Sequence, residues 1–213
     1  SLLAAQRHSG FRLFCASSSE CFGSTDAPAD IGTPFRPLSP YGVAKAHAYD
    51  KVAQHRAAQG GYAVSGVLFN HESPLRPETF VTRKIVRAAT RIAGGSTEKL
   101  VLGNLDIERD WGWAPEYVEA MHLMVQQDRP DDFVIATGHS STLRDFTAAV
   151  FAAVGLDWHD RVESSPDLYR PAELLLSRAA TGRTHERLGW RARTHGPALA
   201  AKLVECERTG TWG

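Results

Sequence analysis

The chain has 213 residues, 43% of them hydrophobic, and its 24 basic residues are balanced by 24 acidic ones. That apolar content is enough to bury a sizeable core, which excludes a disordered chain. The charge balance excludes bulk attraction to nucleic acid or to a membrane surface, so an anionic ligand has to be met by a local cluster of Arg or Lys.

In chain order, Ser1 to His8 reads as the last turns of a helix stopped by Ser9-Gly10. Phe11 to Ala16 is a short apolar run with aromatics and Cys, which predicts a buried strand. Ser17-Ser18-Ser19-Glu20 then lies at the end of that strand. In open parallel sheets this edge is where ligands bind. Gly23 to Pro40 is too rich in Gly, Pro and Asp for a long helix or central strand.

Ser39-Pro40 opens a helix that runs to Gln59 and is stopped by Gly60-Gly61. Val43, Ala44, Ala48 and Val52 are expected on its packed side. Tyr41 and Lys45, four residues apart, fall on one face. That spacing suits an acid-base pair, because a nearby ammonium favours the phenolate form. An amphipathic helix start with an ordinary surface lysine would give the same spacing. Consecutive serines at a strand end, likewise, often only satisfy backbone groups.

Tyr62 to Phe69 predicts a second parallel strand, joined to the first through a right-handed βαβ crossover. Asn70-His71-Glu72-Ser73-Pro74 is read as another strand-end loop, converging with Ser17–Glu20 on one crevice. Thr79 to Ala93 predicts a helix whose Arg83, Arg87 and Arg91 form a basic stripe, suited to solvent or a subunit contact rather than nucleic acid.

Lys99 to Gly103 is an edge-strand candidate, and Asn104 to Asp110 a polar turn leading to Trp111-Gly112-Trp113, with both tryptophans read as packing residues. A helix from Ala114 to Gln127 is expected to pack through Val118, Met121 and Val125. Phe133 to Ala136 is a strand candidate. Thr142 caps the next helix, which ends at Gly155. An amphipathic stretch spans Thr181 to Leu188, and a final helix spans Pro197 to Glu207.

These elements predict an α/β fold. Residues 1–70 form part of a parallel sheet to which 104–140 return, while 71–103 and 141–213 form a smaller mixed α/β region around the crevice. Cys15, Cys21 and Cys206 are an odd set without metal-ligand spacing, so a reducing compartment and no metal are expected. No stretch approaches a transmembrane span and the N-terminus is too polar for a signal peptide, so a cytoplasmic protein is expected. No Gly-x-Gly-x-x-Gly follows a strand, so the chain by itself supplies no glycine-rich dinucleotide cradle.

Several motifs occur in a family's order. They are Ser17-Ser18-Ser19-Glu20, Tyr41-Gly42-Val43-Ala44-Lys45, Leu68-Phe69-Asn70-His71-Glu72-Ser73-Pro74-Leu75-Arg76 and Glu78-Thr79-Phe80-Val81-Thr82-Arg83-Lys84-Ile85. Leu102-Gly103-Asn104-Leu105, Arg109-Asp110-Trp111-Gly112, Asp132 to Gly138 and Arg170-Pro171-Ala172-Glu173 follow. Over nearly the whole chain this pattern resembles the GDP-mannose 4,6-dehydratase family of extended short-chain dehydrogenase/reductases.

The resemblance implies a partial Rossmann-like sheet and a glycine-rich nucleotide-binding half lying outside this chain. It implies dehydration of GDP-D-mannose to GDP-4-keto-6-deoxy-D-mannose with NADP, less readily NAD, and a full-length homodimer or homotetramer. The catalytic residues would be Ser18, Glu20, Tyr41 and Lys45. Tyr41 would take the C4 hydroxyl proton, Lys45 would hold the cofactor ribose, Ser18 would bond the C4 oxygen, and Glu20 would move protons at C5 and C6. Ser17, Tyr41, Lys45, Asn70, His71 and Arg76 would bind the cofactor. Ser18, Asn70, Glu72, Lys84, Arg109, Arg170 and Glu173 would bind the substrate. The plainer alternatives, which the ordered motifs disfavour, are ordinary surface salt bridges for Lys84 and Arg109 and a loop-to-helix ion pair for Arg170/Glu173.

The chain also departs from the family pattern. Ser18 replaces the usual Thr, which keeps the hydroxyl and frees the rotamer. Cys21-Phe22-Gly23 replaces Leu-Tyr-Gly. Ser165-Pro166-Asp167-Leu168-Tyr169 replaces Asp-Pro-Arg-Tyr-Phe, and Ser177-Arg178-Ala179-Ala180 replaces Gly-Asp-Pro-Ser or Thr. The alternatives are a nucleotide-sugar epimerase, which shares Tyr41 and Lys45, and a catalytically inactive sugar-nucleotide-binding or scaffold protein, since an acid-base group cannot replace a hydride acceptor.

Overall fold

In the computed structural model, residues 10–25, 27–169 and 174–211 are described. The expected helix at Ser1–His8 lies outside them. The apolar run after Gly10 becomes strand β1 (Arg12–Ser18), extending two residues beyond Ala16 so that Ser17 and Ser18 are its last members. The Ser39 hydroxyl accepts the Gly42 N–H at 3.0 Å and caps helix α1 (Pro40–Gln59), with Pro40 where no intrahelical donor is needed. Gly60 ends the helix at φ 66°, in the left-handed region that favours glycine.

Strand β2 (Tyr62–Leu68) returns parallel to β1, in register from Arg12 opposite Tyr62 to Ser18 opposite Leu68. Its other edge pairs in parallel with β6 (Phe133–Ile135), giving the order β1-β2-β6. Both faces of this sheet are covered, which is why β2 reads as a continuous apolar run. On one face, Val64, Leu68, Phe133 and Ile135 pack with Tyr117, Ala120 and Met124 of helix α3 (Ala114–Gln126) and with Leu188 and Trp190. On the other, Val67, Phe69 and Val134 pack with Phe22, and Phe35 and Tyr49 pack against the same cluster. Arg56 near the end of α1 makes a bidentate ion pair with Asp132, at 2.8 and 2.7 Å, where β6 begins.

Two segments expected as connections are strands. Asn70–Glu72 forms β3, paired in parallel with β5 (Glu108–Trp113), and β5 pairs in antiparallel fashion with β7 (Ser140–Thr142). Polar residues form these strands because tertiary partners are present, overriding local propensity. Asp110 is buried within β5, and its carboxylate accepts the N–H groups of Thr137 and Gly138 at 2.9 and 2.8 Å. Lys99–Gly103 does contain a strand, β4 (Leu100–Leu102), which pairs in parallel with β8 (Val162–Ser164).

Helices α2 (Val81–Ala93), α4 (Leu143–Ala153) and α6 (Gly196–Thr209) enclose the largest apolar cluster, in which Trp111, Trp113, Phe146, Phe151 and Leu199 are buried. Thr142 caps α4 in a reciprocal capping box with Asp145. The stretch near Thr181 to Leu188 is helix α5 (Gly182–Leu188).

The packed faces of two helices differ from expectation. Val43 and Ala44 are exposed on α1, where Gly42 and Val52 are buried, and Val118 is 58% exposed on α3, whose inward face is Glu116, Tyr117, Ala120 and Met124. The arginines of α2 are neutralised within the chain. Arg83 and Arg87 both pair with Glu207 of α6, Arg87 also meets Glu78, and Arg91 pairs with Glu98. Among the described residues, no helix is long and apolar enough to cross a membrane.

Candidate active site

The parallel strands end together on one side, and a cleft of ≈ 820 Å³ opens there. Ser17, Ser18, Glu20, Tyr41, Lys45, Asn70, His71, Arg76 and Arg109 all line it. After β1 the chain makes a single 3-10 turn, Ser19–Cys21, in which the Ser18 hydroxyl accepts the Glu20 N–H at 3.3 Å. Ser39 Oγ donates to Glu20 Oε2 at 2.6 Å, so the carboxylate is joined to the cap of α1. A Cβ on Gly42 would lie 2.8 Å from the Glu20 carbonyl oxygen, and its absence lets the first turn of α1 rest against that backbone.

The i, i+4 placement brings Lys45 beneath Tyr41, with Nζ 5.6 Å from the ring centroid. Lys45 Nζ donates to the Ala16 carbonyl at 2.8 Å, which anchors the ammonium to β1. Tyr41 is 53% exposed and presents its ring at the cleft mouth. Burial pushes the nearby Cys15 thiol up, against the opposing pull of Lys45.

Across the cleft, His71 Nδ1 lies 2.8 Å from the Phe69 carbonyl, an acceptor only, so the proton sits on Nδ1 and Nε2 is left for other contacts. The Arg76 guanidinium makes two 3.2 Å hydrogen bonds to Glu72 and stacks over Phe80 at 4.1 Å from the ring centroid. Arg109 Nη1 donates to the Glu108 carbonyl at 2.8 Å. Leu174 and Ser177 close one side. There, Ser177 N–H donates to the Glu108 carbonyl and Arg178 pairs with the Glu108 carboxylate at 2.6 Å, the arrangement adopted where the family motif is replaced.

Other proposed site residues stand apart from the cleft. Glu72 is buried behind Arg76, and Lys84 Nζ is directed to the Val101 carbonyl at 2.7 Å. Arg170 and Glu173 lie outside the described residues. Ser39, Phe80, Leu174 and Ser177 line the cleft without having been singled out from the sequence. Of these, only Ser39 carried a signal, its place as the helix-opening serine before Pro40.

Residues 1–203 match the family model described as GDP-mannose 4,6 dehydratase. The chain belongs to the GDP-mannose 4,6-dehydratase family. It is 46% identical to GDP-mannose 4,6 dehydratase 1 of Arabidopsis thaliana over 194 residues, covering 91% of this chain and 54% of that protein. It thus spans about half the length of the Arabidopsis relatives it matches.

Solved structures share the fold, two of them nicotinamide-cofactor complexes. The dTDP-glucose 4,6-dehydratase of Bacillus anthracis in complex with NAD superposes with a TM-score of 0.88 at 17% identity, covering 99% of this chain and 66% of that one. RMD from Pseudomonas aeruginosa complexed with NADPH superposes at 0.85 and 19% identity, covering 95% and 69%. At such identities the likeness concerns the Rossmann-like α/β architecture alone.

Proposed function

We propose that this chain carries the acid-base and sugar-nucleotide-binding portion of a GDP-mannose 4,6-dehydratase, converting GDP-D-mannose to GDP-4-keto-6-deoxy-D-mannose. The observation that carries the reading is the convergence of Tyr41, Lys45 and Glu20 on one cleft, with Glu20 held by Ser39. An epimerase needs the first pair but no carboxylate for elimination.

In this reading the Tyr41 oxygen takes the C4 hydroxyl proton, Ser18 hydrogen-bonds the C4 oxygen, and Lys45 supports both Tyr41 and a ribose hydroxyl. The C4 carbonyl acidifies the C5 hydrogen. Glu20 removes that proton and delivers one to the C6 hydroxyl, which leaves as water. A nicotinamide cofactor, NADP in this proposal, would supply the hydride acceptance at C4 and its return to C6, and a solvent-derived proton reaching C5 through Glu20 would complete the product.

The cleft fits such a group. Ser17, Tyr41, Lys45, Asn70, His71 and Arg76 combine hydroxyls, an amide, an imidazole and two cations, the donor set that ribose and phosphate require. Asn70 and Arg109 would meet the substrate, with Glu72 acting through Arg76. Lys84, Arg170 and Glu173 are proposed substrate contacts on the family resemblance alone. So are a cytoplasmic location and a homodimer or homotetramer.

Incubating the full-length protein with GDP-mannose and NADP should yield the 4-keto-6-deoxy product. Absence of turnover with cofactor bound would count against the reading, and retention of the C6 oxygen would select an epimerase. Glu20→Gln should still oxidise C4 and fail to eliminate water.

A further inference from the structure

We propose that Ser39 is a positioning residue for the proton transfer at C5, a role that rests on the dehydratase reading of the cleft. Its hydroxyl has one proton to give, and that proton goes to Glu20 Oε2 at 2.6 Å, the length of a charge-assisted bond. The same oxygen accepts the Gly42 N–H at 3.0 Å as the cap of α1. Ser39 thus immobilises one carboxylate oxygen, Oε2, of a side chain that lines the cleft.

The consequence is geometric. Tyr41 stands in the first turn of the helix that Ser39 caps, and Glu20 stands on the turn that follows β1. Nineteen positions separate Ser39 from Glu20 in the chain, yet one oxygen atom ties the group that handles the C4 proton to the group that handles the C5 proton. Gly42 permits the tie by letting α1 approach the Glu20 backbone. Adjacent substrate carbons need two acid-base groups at a set separation, and this contact supplies it.

Three variants of the full-length enzyme separate donation from capping. Ser39→Ala removes both. Ser39→Gly removes the donation to Glu20 without adding a charge and leaves a residue that helix starts accept at the cap far better than alanine. Ser39→Thr keeps both. C4 oxidation is read as reduced-cofactor absorbance in a single turnover, C5 proton transfer as deuterium uptake from D2O into the sugar, and folding as the thermal midpoint.

Loss of one hydrogen bond to a charged group predicts that S39A and S39G slow deuterium uptake and kcat about 10- to 100-fold. KM and C4 oxidation should stay within about twofold, S39G should lie closer than S39A to the wild-type midpoint, and S39T should retain wild-type exchange within about threefold. S39G exchanging at the wild-type rate would overturn the proposal. So would S39A losing oxidation and exchange in equal proportion, the pattern of a helix cap alone. A wild-type enzyme that leaves GDP-mannose unchanged overturns the dehydratase reading itself and this proposal with it.

Discussion

Glu72 grips the Arg76 guanidinium through both carboxylate oxygens, each at 3.2 Å, from a position that is only 2% exposed. The Thr82 hydroxyl donates to the same carboxylate at 2.6 Å, so α2 also takes part. Arg76 is thus pinned between a buried anion and the Phe80 ring. Replacing Glu72 by Gln keeps the shape and removes the charge. The expected result is a loss of about 1–3 kcal/mol in stability, together with weaker NADP binding by the full-length protein. Urea denaturation and calorimetry check the two effects.

Tyr41→Phe should lower turnover by at least about 100-fold, the scale of a lost acid-base group. Its half-exposed ring stays in place, so stability should change by less than about 0.5 kcal/mol. Product formation and thermal denaturation measured on one preparation distinguish a chemical defect from unfolding.

Gly23 sits at φ 65°, and a Cβ there would lie 2.0 Å from the Arg36 carbonyl oxygen. Gly23→Ala should therefore cost on the order of 1–3 kcal/mol in backbone strain, with more from the clash. The affected loop is the one that carries Glu20, and Arg36 N–H donates to the Cys21 carbonyl within it. A lower denaturation midpoint and slowed C5 exchange are the expected readings.

Burial alone would raise the Glu116 carboxyl, but the Thr194 hydroxyl and the backbone N–H groups of Arg193 and Thr194, aided by the Arg193 guanidinium, outweigh it and hold it below its ordinary value of 4.5. A depressed carboxyl stabilises the fold above its unfolded value, and that contribution fades as pH falls through the folded value. Glu116→Gln should therefore destabilise the protein near pH 7 and converge with wild type in acid below that folded value. Chemical denaturation across this pH range tests the sign.

Much of the first sheet was legible in the sequence because its signals are local. The apolar run before Ala16, the Ser39-Pro40 opening and Gly60 after the helix each act within a few residues. Strand β3 and the first half of β5 were not legible, since Asn70-His71-Glu72 and Glu108-Arg109-Asp110 are strands only through distant partners. On α1 the packed face differs from expectation because a glycine, Gly42, is the buried residue while Val43 faces solvent, and on α3 Val118 faces solvent while Glu116 is buried. At the site, ordered family motifs led to the residues gathered on the cleft. The Ser39–Glu20 contact and the turn of Lys84 toward Val101 depend on long-range packing that no local pattern encodes.

Only Phe69 lies between β2 and β3, and it is 2% exposed with its N–H donated to the Ile135 carbonyl. The main chain therefore crosses from the sheet that carries Ser17 and Ser18 to the strands that carry Asn70 and Arg109 without a flexible tether. Opening by swinging those two floors apart about this joint would tear out a buried ring and a backbone hydrogen bond. The floor of the cleft keeps its shape, and the segment at 174–177, tied to Glu108 through the Leu175 carbonyl and the Ser177 N–H, extends that fixed frame to one wall.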